Sequence, residues 1–169
     1  EEFEFIKQLD PDIVVVAAYG QLIAKKLLNI PKKGFINIHT SLLPKWRGAA
    51  PIQRSIMNLD KETGVSIMQI VEDLDAGPIM KKIKVKINEL ITTEELSKNL
   101  SKISSKLIVE ILDDIFNDKL EFIEQNHKLA TYAKKIKKTE ALINWNESAN
   151  KVLGKINGLN PSPGAWFEY

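Results

Sequence analysis

The stretch NIHTSLLPKWRGAAPIQ, residues 37–53, follows an apolar run and combines asparagine, histidine, proline, tryptophan, arginine and glycine. If FINIHT (residues 35–40) is a strand, Asn37 and His39 point to the same face near its carboxyl end, because side chains alternate along a strand. Ligands of open α/β sheets bind at that end. Pro44 and Gly48 favour a shaped loop after the strand. The stretch therefore predicts a functional site, with a hydrogen-bonded packing histidine as the plainer alternative.

The flanking segments predict an α/β fold. The run PDIVVVAAYG (residues 11–20) is typical of a parallel strand buried on both faces, and QLIAKKLLN (residues 21–29) is typical of a short helix. With the strand at residues 35–40 they would form a right-handed βαβ crossover. Three elements are predicted downstream, a helix at residues 50–58 and strands at residues 63–71 and 78–87. We therefore predict a doubly wound, mostly parallel sheet.

The remainder of the chain predicts a long helix, a linker and a second unit. Thr92 and Glu95 fit a capping box, and apolar residues spaced by three and four predict a helix that stops at Asn117. The following sequence is polar and rich in lysine, whereas ESANKVLGKINGL predicts another helix. The predicted parts are an α/β unit at residues 1–118, a linker at residues 119–138 and a second unit that starts at residues 139–169.

Composition excludes several classes of protein. The chain has 169 residues, 44% of them hydrophobic and 27% charged, as is typical of a soluble globular protein. Its apolar runs are far shorter than the ~20 residues of a membrane span, so no membrane association is expected. Cysteine is absent and the two histidines, His39 and His127, are far apart in the sequence, which argues against a metal site. The formal charge of +2 does not by itself indicate nucleic-acid binding.

A second polar cluster lies in EDLDAGPIM, residues 72–80, between two predicted strands. Glu72 and Asp73 fit a solvated acidic turn. Asp75 precedes a Gly-Pro turn, and from there its carboxylate could reach His39 and stabilise the protonated ring. The sequence leaves that approach open.

Two segments, INIHTSLLPKWRGAAPIQRSI (residues 36–56) and TGVSIMQIVEDLDAGPIM (residues 63–80), resemble the folate-dependent formyltransferases. The resemblance extends from about residue 12 to residue 169, and GLNPSPGAW near the end is similar to the start of that family's C-terminal domain. The continuation KWRGAAPIQRS favours the branch that acts on methionyl-tRNA. Thr40 departs from the pattern, since a smaller residue or proline is expected there.

The resemblance implies roles for particular residues. Asn37, His39 and Asp75 would be catalytic. The tetrahydrofolate site would be lined by Ser41, Leu42, Leu43 and Pro44, with residues 18–23 and 71–74 around the pterin. Residues 1–118 would then be the C-terminal part of a formyltransferase catalytic domain, and residues 139–169 the start of a small barrel-like, tRNA-binding domain. The chain would lack the N-terminal part and most of the C-terminal domain of that family.

The implied reaction moves a formyl group from the co-substrate 10-formyltetrahydrofolate to the α-amino group of initiator methionyl-tRNA, without a metal, for translation initiation. Asn37 and protonated His39 suit the stabilisation of an oxyanion, and Asp75 could orient His39 and relay a proton through water. A monomer in the bacterial cytoplasm is expected, with the mitochondrion as the alternative location.

Other functions remain open at this point. Within the family, the acceptor could be an amino sugar nucleotide or glycinamide ribonucleotide. Ser41, His39 and Asp75 could form a hydrolase triad, but the G-x-S-x-G motif is missing and Ser41 lies too near its supposed base in sequence. A noncatalytic nucleotide-binding module would suit an α/β chain, but neither G-x-G-x-x-G nor a P-loop is present.

Overall fold

The computed structural model describes residues 2–169 and contains a four-stranded sheet. In their order across the sheet, the strands are β1 (Val14–Ala17), β2 (Phe35–His39), β3 (Glu62–Gln69) and β4 (Ile79–Lys86). β1 and β2 are parallel, whereas β3 is antiparallel to both β2 and β4. The predicted α/β class is confirmed, but the described sheet is mixed, so the prediction of a mostly parallel sheet is wrong.

The short connection between β3 and β4 accounts for their antiparallel pairing. Residues 18–34 cross over between β1 and β2, as predicted, and contain a single helical turn, α2 (Lys25–Leu28). Residues 70–78 instead form a short reversing loop between β3 and β4. Parallel neighbours need a crossover of about a dozen or more residues, which this loop is too short to provide.

Burial of β1 also differs from the prediction. Val15 is 41% exposed and Ala17 is exposed, whereas Val14 and Val16 are partly buried. In the described sheet β1 is an edge strand whose neighbour is β2. A β-branched run at this edge is therefore covered on one face within residues 2–169, and not on both.

The other helices are α1 (Glu2–Leu9), α3 (Pro51–Met57), α4 (Thr93–Phe116) and α5 (Ala149–Gly158). The start of α4 is as predicted: the Thr92 hydroxyl accepts a hydrogen bond from the backbone amide of Glu95, and the Thr92 amide donates to the Glu95 carboxylate at 2.9 Å. Hydrogen bonds donated by the Thr92 amide and hydroxyl to the Glu95 carboxylate hold the pKa of Glu95 below its ordinary value. The helix stops at the predicted Asn117.

The core lies between α4 and the sheet. Leu96, Leu100 and Leu107 on the inner face of α4 belong to one buried cluster with sheet residues such as Ile36 and Ile67. Burying each of these side chains contributes about 1.5–3 kcal/mol to folding. The sheet thus rests on a long helix, which leaves the carboxyl end of β2 free to carry polar groups.

α5 packs directly on α3, although it begins in the predicted second unit. A Cβ on Gly154 would lie 2.7 Å from the Leu59 Cδ2 atom and 3.2 Å from the Ile56 carbonyl oxygen. A Cβ on Gly158 would lie 3.1 Å from the Gln53 carbonyl oxygen. Glycine at both positions, one helical turn apart, allows the two backbones to approach closely.

Candidate active site

The structure brings Asn37, His39 and Asp75 together at the carboxyl end of β2. Both β2 residues pair with β3, Asn37 opposite Met68 and His39 opposite Ser66. The Asn37 Nδ2 atom lies 3.3 Å from Asp75 Oδ1, and the His39 Nδ1 atom lies 3.6 Å from Asp75 Oδ2. The side chains of His39 and Asp75 are 6% and 12% exposed. The approach that the sequence left open is therefore present in the fold.

The other ring nitrogen of His39 determines its tautomer. Nε2 lies 2.8 Å from the backbone carbonyl oxygen of Trp46. A carbonyl can only accept, so Nε2 carries a proton and donates it. Nδ1 is consequently the ring nitrogen that faces Asp75, at a distance longer than an ordinary hydrogen bond. A proton at Nδ1 would make the ring an imidazolium beside a carboxylate.

Asp75 is held in an unusual backbone conformation. Its φ angle is +47°, in the left-handed region of backbone conformation that residues other than glycine rarely adopt. Its Oδ2 atom accepts a hydrogen bond from the backbone amide of Gly48 at 2.8 Å, and Oδ1 faces the Asn37 amide. Hydrogen bonds from two different elements therefore fix the direction of the carboxylate.

The loop after β2 is stabilised from within by hydroxyl groups. The Ser41 hydroxyl donates to the carbonyl of Lys45 at 2.5 Å. The Ser66 hydroxyl donates to the Ser41 carbonyl at 2.7 Å and accepts from the Leu43 amide at 3.1 Å. The Ser41 hydroxyl is thus buried and donates to a backbone carbonyl, and no hydrogen bond joins it to His39 in residues 2–169. The geometry does not support a Ser41–His39–Asp75 triad.

The predicted folate-lining residues differ in accessibility. The side chains of Ser41 and Leu43 are buried in the protein, whereas Leu42 and Pro44 are partly exposed. If Ser41 and Leu43 contact a ligand, they do so through main-chain atoms. Their role in folate binding stays a prediction.

The two predicted pterin loops lie next to each other. Lys25 follows residues 18–23 closely, and Glu72 belongs to residues 71–74. The Lys25 Nζ atom forms an ion pair with Glu72 Oε1 at 2.5 Å. The hydrogen bond and charge of Glu72 raise the pKa of Lys25. The exposed Leu74 directly precedes Asp75, so this pair of loops borders the Asn37–His39–Asp75 cluster.

Trp46 and Arg47 occupy different environments. The Trp46 indole donates to Asp60 Oδ2 at 2.7 Å, and its amide donates to the Thr131 hydroxyl at 2.9 Å. Arg47 is only 3% exposed and donates to Gln125 Oε1 from both Nε (3.1 Å) and Nη2 (2.7 Å). Arg47 is therefore an internal part of the site.

Sequence reasoning missed three sets of contacts that build this site. Gly48 supplies the amide that binds Asp75, Gln125 joins Arg47 to the acidic loop, and Thr131 binds the Trp46 amide. Gln125 and Thr131 lie in the predicted linker, in polar sequence without a recognisable motif. Their part in the site depends on the path of the chain.

Within residues 2–169, no group of three or more His, Cys, Asp or Glu side chains could hold a metal ion. In the same range, no helix has the length and apolar character needed to cross a membrane.

The chain matches family models in both of its halves. A model described as formyl transferase matches residues 1–112, and one described as formyl transferase, C-terminal domain, matches residues 135–169. Methionyl-tRNA formyltransferase of Pelagibacter ubique is 59% identical over 167 residues, which cover 99% of this chain and 54% of that protein. The enzyme of the same name from Carboxydothermus hydrogenoformans is 47% identical, over 98% of this chain and 54% of that protein.

Solved structures share the fold at low sequence identity. A 4-N formyltransferase from Francisella tularensis has a TM-score of 0.82 and 23% identity, over 99% of this chain and 70% of that one. HypX from Aquifex aeolicus, in complex with tetrahydrofolic acid, has a TM-score of 0.85 and 16% identity, over 98% of this chain and 29% of that one. These two likenesses concern the fold alone.

The chain spans about half the length of the relatives it matches. One family model covers most of the α/β unit, another covers the α5 region, and the solved formyltransferase fold superposes on nearly all of the chain. On this evidence the chain belongs to the formyl transferase family.

Proposed function

We propose that the protein containing this chain transfers a formyl group from 10-formyltetrahydrofolate to the α-amino group of initiator methionyl-tRNA. The observation that carries the proposal is the cluster of Asn37, His39 and Asp75 at the end of β2, with Asp75 Oδ2 3.6 Å from His39 Nδ1. The relatives that bear the name methionyl-tRNA formyltransferase support this acceptor. A metal-free reaction in a cytoplasmic monomer is part of the same proposal, with the mitochondrion as the alternative location.

The cluster suits acyl transfer to an amine. As the amine attacks the formyl carbon, negative charge develops on the formyl oxygen, and hydrogen-bond donors aimed at that oxygen lower the barrier. The Asn37 amide has two N–H groups, one of which is directed at Asp75. The second N–H, and a proton at His39 Nδ1, are the available donors. Because Trp46 holds His39 Nε2, Nδ1 is the ring nitrogen left to face Asp75 and to serve the reacting group beside it.

Asp75 would accept the proton that the attacking nitrogen loses and pass it on. Its carboxylate oxygens accept hydrogen bonds from Gly48 and Asn37, and a carboxylate held in this way is a suitable base for that proton, directly or through one water. The same carboxylate stabilises an imidazolium at His39 while negative charge develops on the substrate. The proton then passes to the departing nitrogen of the donor, and the enzyme returns to its starting state without a covalent intermediate.

The residues near the cluster fit a folate. The formyl group that 10-formyltetrahydrofolate carries on N10 is the one-carbon unit for the reaction, and N10 leaves as a secondary amine. Tyr19, Leu22 and Leu74 expose apolar side chains in the two loops joined by the Lys25–Glu72 pair, which suits a flat ring system. Backbone groups of these loops would hydrogen-bond the edges of the pterin ring. Leu42 and Pro44 would border the part of the folate that extends beyond the pterin.

A comparison of acceptors tests the proposal. The full-length enzyme is given 10-formyltetrahydrofolate with methionyl-tRNA, an amino sugar nucleotide or glycinamide ribonucleotide, and kcat/KM is measured for each. We expect methionyl-tRNA to be preferred by at least ~100-fold, since a site built to pair with one acceptor's polar groups discriminates strongly against others. A preference for either of the other amines would assign the chain to that acceptor instead. Absence of transfer to all three would leave a noncatalytic binding module.

A further inference from the structure

The buried side chain of Gln125 connects the two loops of the candidate active site. Gln125 is 5% exposed and lies in the predicted linker, far in sequence from both loops. Its Oε1 atom accepts two hydrogen bonds from Arg47, at 3.1 and 2.7 Å. Its Nε2 atom donates to the carbonyl oxygens of Asp75 at 2.9 Å and Gly77 at 2.7 Å.

The partners of Gln125 allow only one orientation of its amide. A guanidinium group can only donate hydrogen bonds and a backbone carbonyl can only accept them, so Oε1 must face Arg47 and Nε2 must face the acidic loop. In the described part of the chain the side-chain acceptors of the buried Arg47 are Gln125 Oε1 and His127 Nδ1, and no carboxylate is among them. Reversing the amide would leave these donors and the loop carbonyls unpaired, which is costly in a buried site.

The acidic loop has a particular need for such an anchor. Asp75 has a φ angle of +47°, a conformation that persists only where the surroundings enforce it. The Gly48 amide holds the carboxylate end of Asp75, and Gln125 holds its backbone carbonyl. The direction in which the carboxylate faces His39 and Asn37 therefore depends on both attachments.

We propose that Gln125 is a positioning residue: oriented by Arg47, its amide holds the Asp75 backbone so that the carboxylate faces His39 and Asn37. Gln125 itself is hydrogen-bonded to protein groups and acts through Asp75. The expected effect on turnover rests on the proposed formyl transfer. The expected effect on the position of the acidic loop can be measured whether or not formyl transfer is the function.

The test uses the variant Gln125→Glu in the full-length enzyme. A carboxylate at this position keeps the shape and the acceptor for Arg47 but removes both donors to the acidic loop. We expect kcat to fall by about 10- to 100-fold, because small misplacements of a reacting group are costly, while KM for 10-formyltetrahydrofolate stays within about threefold. Hydrogen exchange at the Gly48 amide, which donates to Asp75, should become faster, and this readout needs no activity.

The control is Glu124→Gln, which changes the exposed neighbouring side chain and should leave kcat and Gly48 exchange unchanged. A kcat for Gln125→Glu within about twofold of the parent would overturn the proposal, as would a lower kcat with unchanged Gly48 exchange. If Gln125→Glu does not fold, Arg47→Lys provides the same test, because lysine cannot reproduce the fork on Oε1. The same fall and faster exchange are expected there, and parent-like values would overturn the proposal.

The two proposals can fail separately. If the parent enzyme formylates none of the offered amines, the proposed function fails. Gly48 exchange in Gln125→Glu then decides alone whether Gln125 positions the loop.

Discussion

The backbone amide of Gly48 donates to the Asp75 carboxylate at 2.8 Å, and Gly48 does so from a φ angle of +110°. A Cβ at this position would lie 3.0 Å from the carbonyl oxygen of Ala133, a rigid backbone atom of the predicted linker. Glycine is therefore required at position 48 for two reasons: its backbone conformation is unfavourable for other residues, and a side chain would collide with the Ala133 backbone.

Gly48→Ala in the full-length enzyme should lower stability by about 2–4 kcal/mol, from left-handed strain plus the clash with Ala133. It should also lower kcat by about tenfold, because the amide shifts relative to Asp75. Thermal melting and single-turnover formyl transfer measure the two effects. Gly20→Ala is the control for the melting measurement alone, since Gly20 has a φ angle of +71° but no atom within 4 Å of the added Cβ. Equal losses in both variants would show that the contact with Ala133 is unimportant.

Substitution of the clustered polar residues should abolish most activity without unfolding the protein. We expect His39→Ala, Asp75→Asn and Asn37→Ala each to reduce the single-turnover rate of formyl transfer by at least ~10²-fold, as is typical for proton-transfer and oxyanion-binding groups. Asn99→Ala, on the exposed face of α4, is the control and should keep the parent rate. Parent-like turnover by His39→Ala would exclude the assigned roles.

The lysines of the predicted linker provide a test of tRNA binding. Lys134, Lys135, Lys137 and Lys138 are all exposed in the structure. Each phosphate contact releases counterions, so log K falls with log salt by somewhat less than one unit per contact. Replacing all four by glutamine should weaken methionyl-tRNA binding and flatten the salt slope by ~2 or more, with folate binding unchanged.

Filter binding across a salt titration measures this slope. The control replaces four exposed lysines elsewhere, Lys81, Lys86, Lys102 and Lys106, with the same change in net charge. An identical slope for the linker variant and the parent would mean that these lysines are only part of a solvated connection and that tRNA is held by other residues.

The ion pair between Arg54 and Glu140 predicts a pH-dependent contribution to stability. Arg54 donates to both carboxylate oxygens of Glu140, at 2.8 and 3.2 Å. These hydrogen bonds, followed by one from the Lys137 amide, lower the pKa of Glu140 from its ordinary value of 4.5. A group with a depressed pKa stabilises the fold fully above its unfolded-state pKa, and the contribution is lost as the pH falls through the folded-state value.

Glu140→Gln should therefore lower the melting temperature most at neutral pH, and the difference from the parent should shrink below about pH 4.5. Melting curves at pH 7 and in mild acid measure this difference. Glu110→Gln, at an exposed position of α4, should show a small difference at both. A difference for Glu140→Gln that is independent of pH would mean that hydrogen bonding, and not charge, accounts for its effect.

The local parts of the site could be predicted from the sequence. Asn37 and His39 share a face because the side-chain period of a strand is two, and Thr92 caps α4 because its partner Glu95 is three residues away. Both rules involve residues close together in the chain, where backbone geometry alone determines the neighbours.

Tertiary structure alone decided how the distant groups meet. Asp75 reaches His39 because β2, β3 and the reversing loop bring a residue 36 positions later to the same sheet end, and Gln125 reaches Asp75 because the chain after α4 returns along the loops. The antiparallel pairing of β3 likewise depends on which strands become neighbours. Strand register and the path of the linker result from packing over the whole chain, so the pattern around Asp75 left its approach to His39 open and no pattern around Gln125 pointed to its contacts.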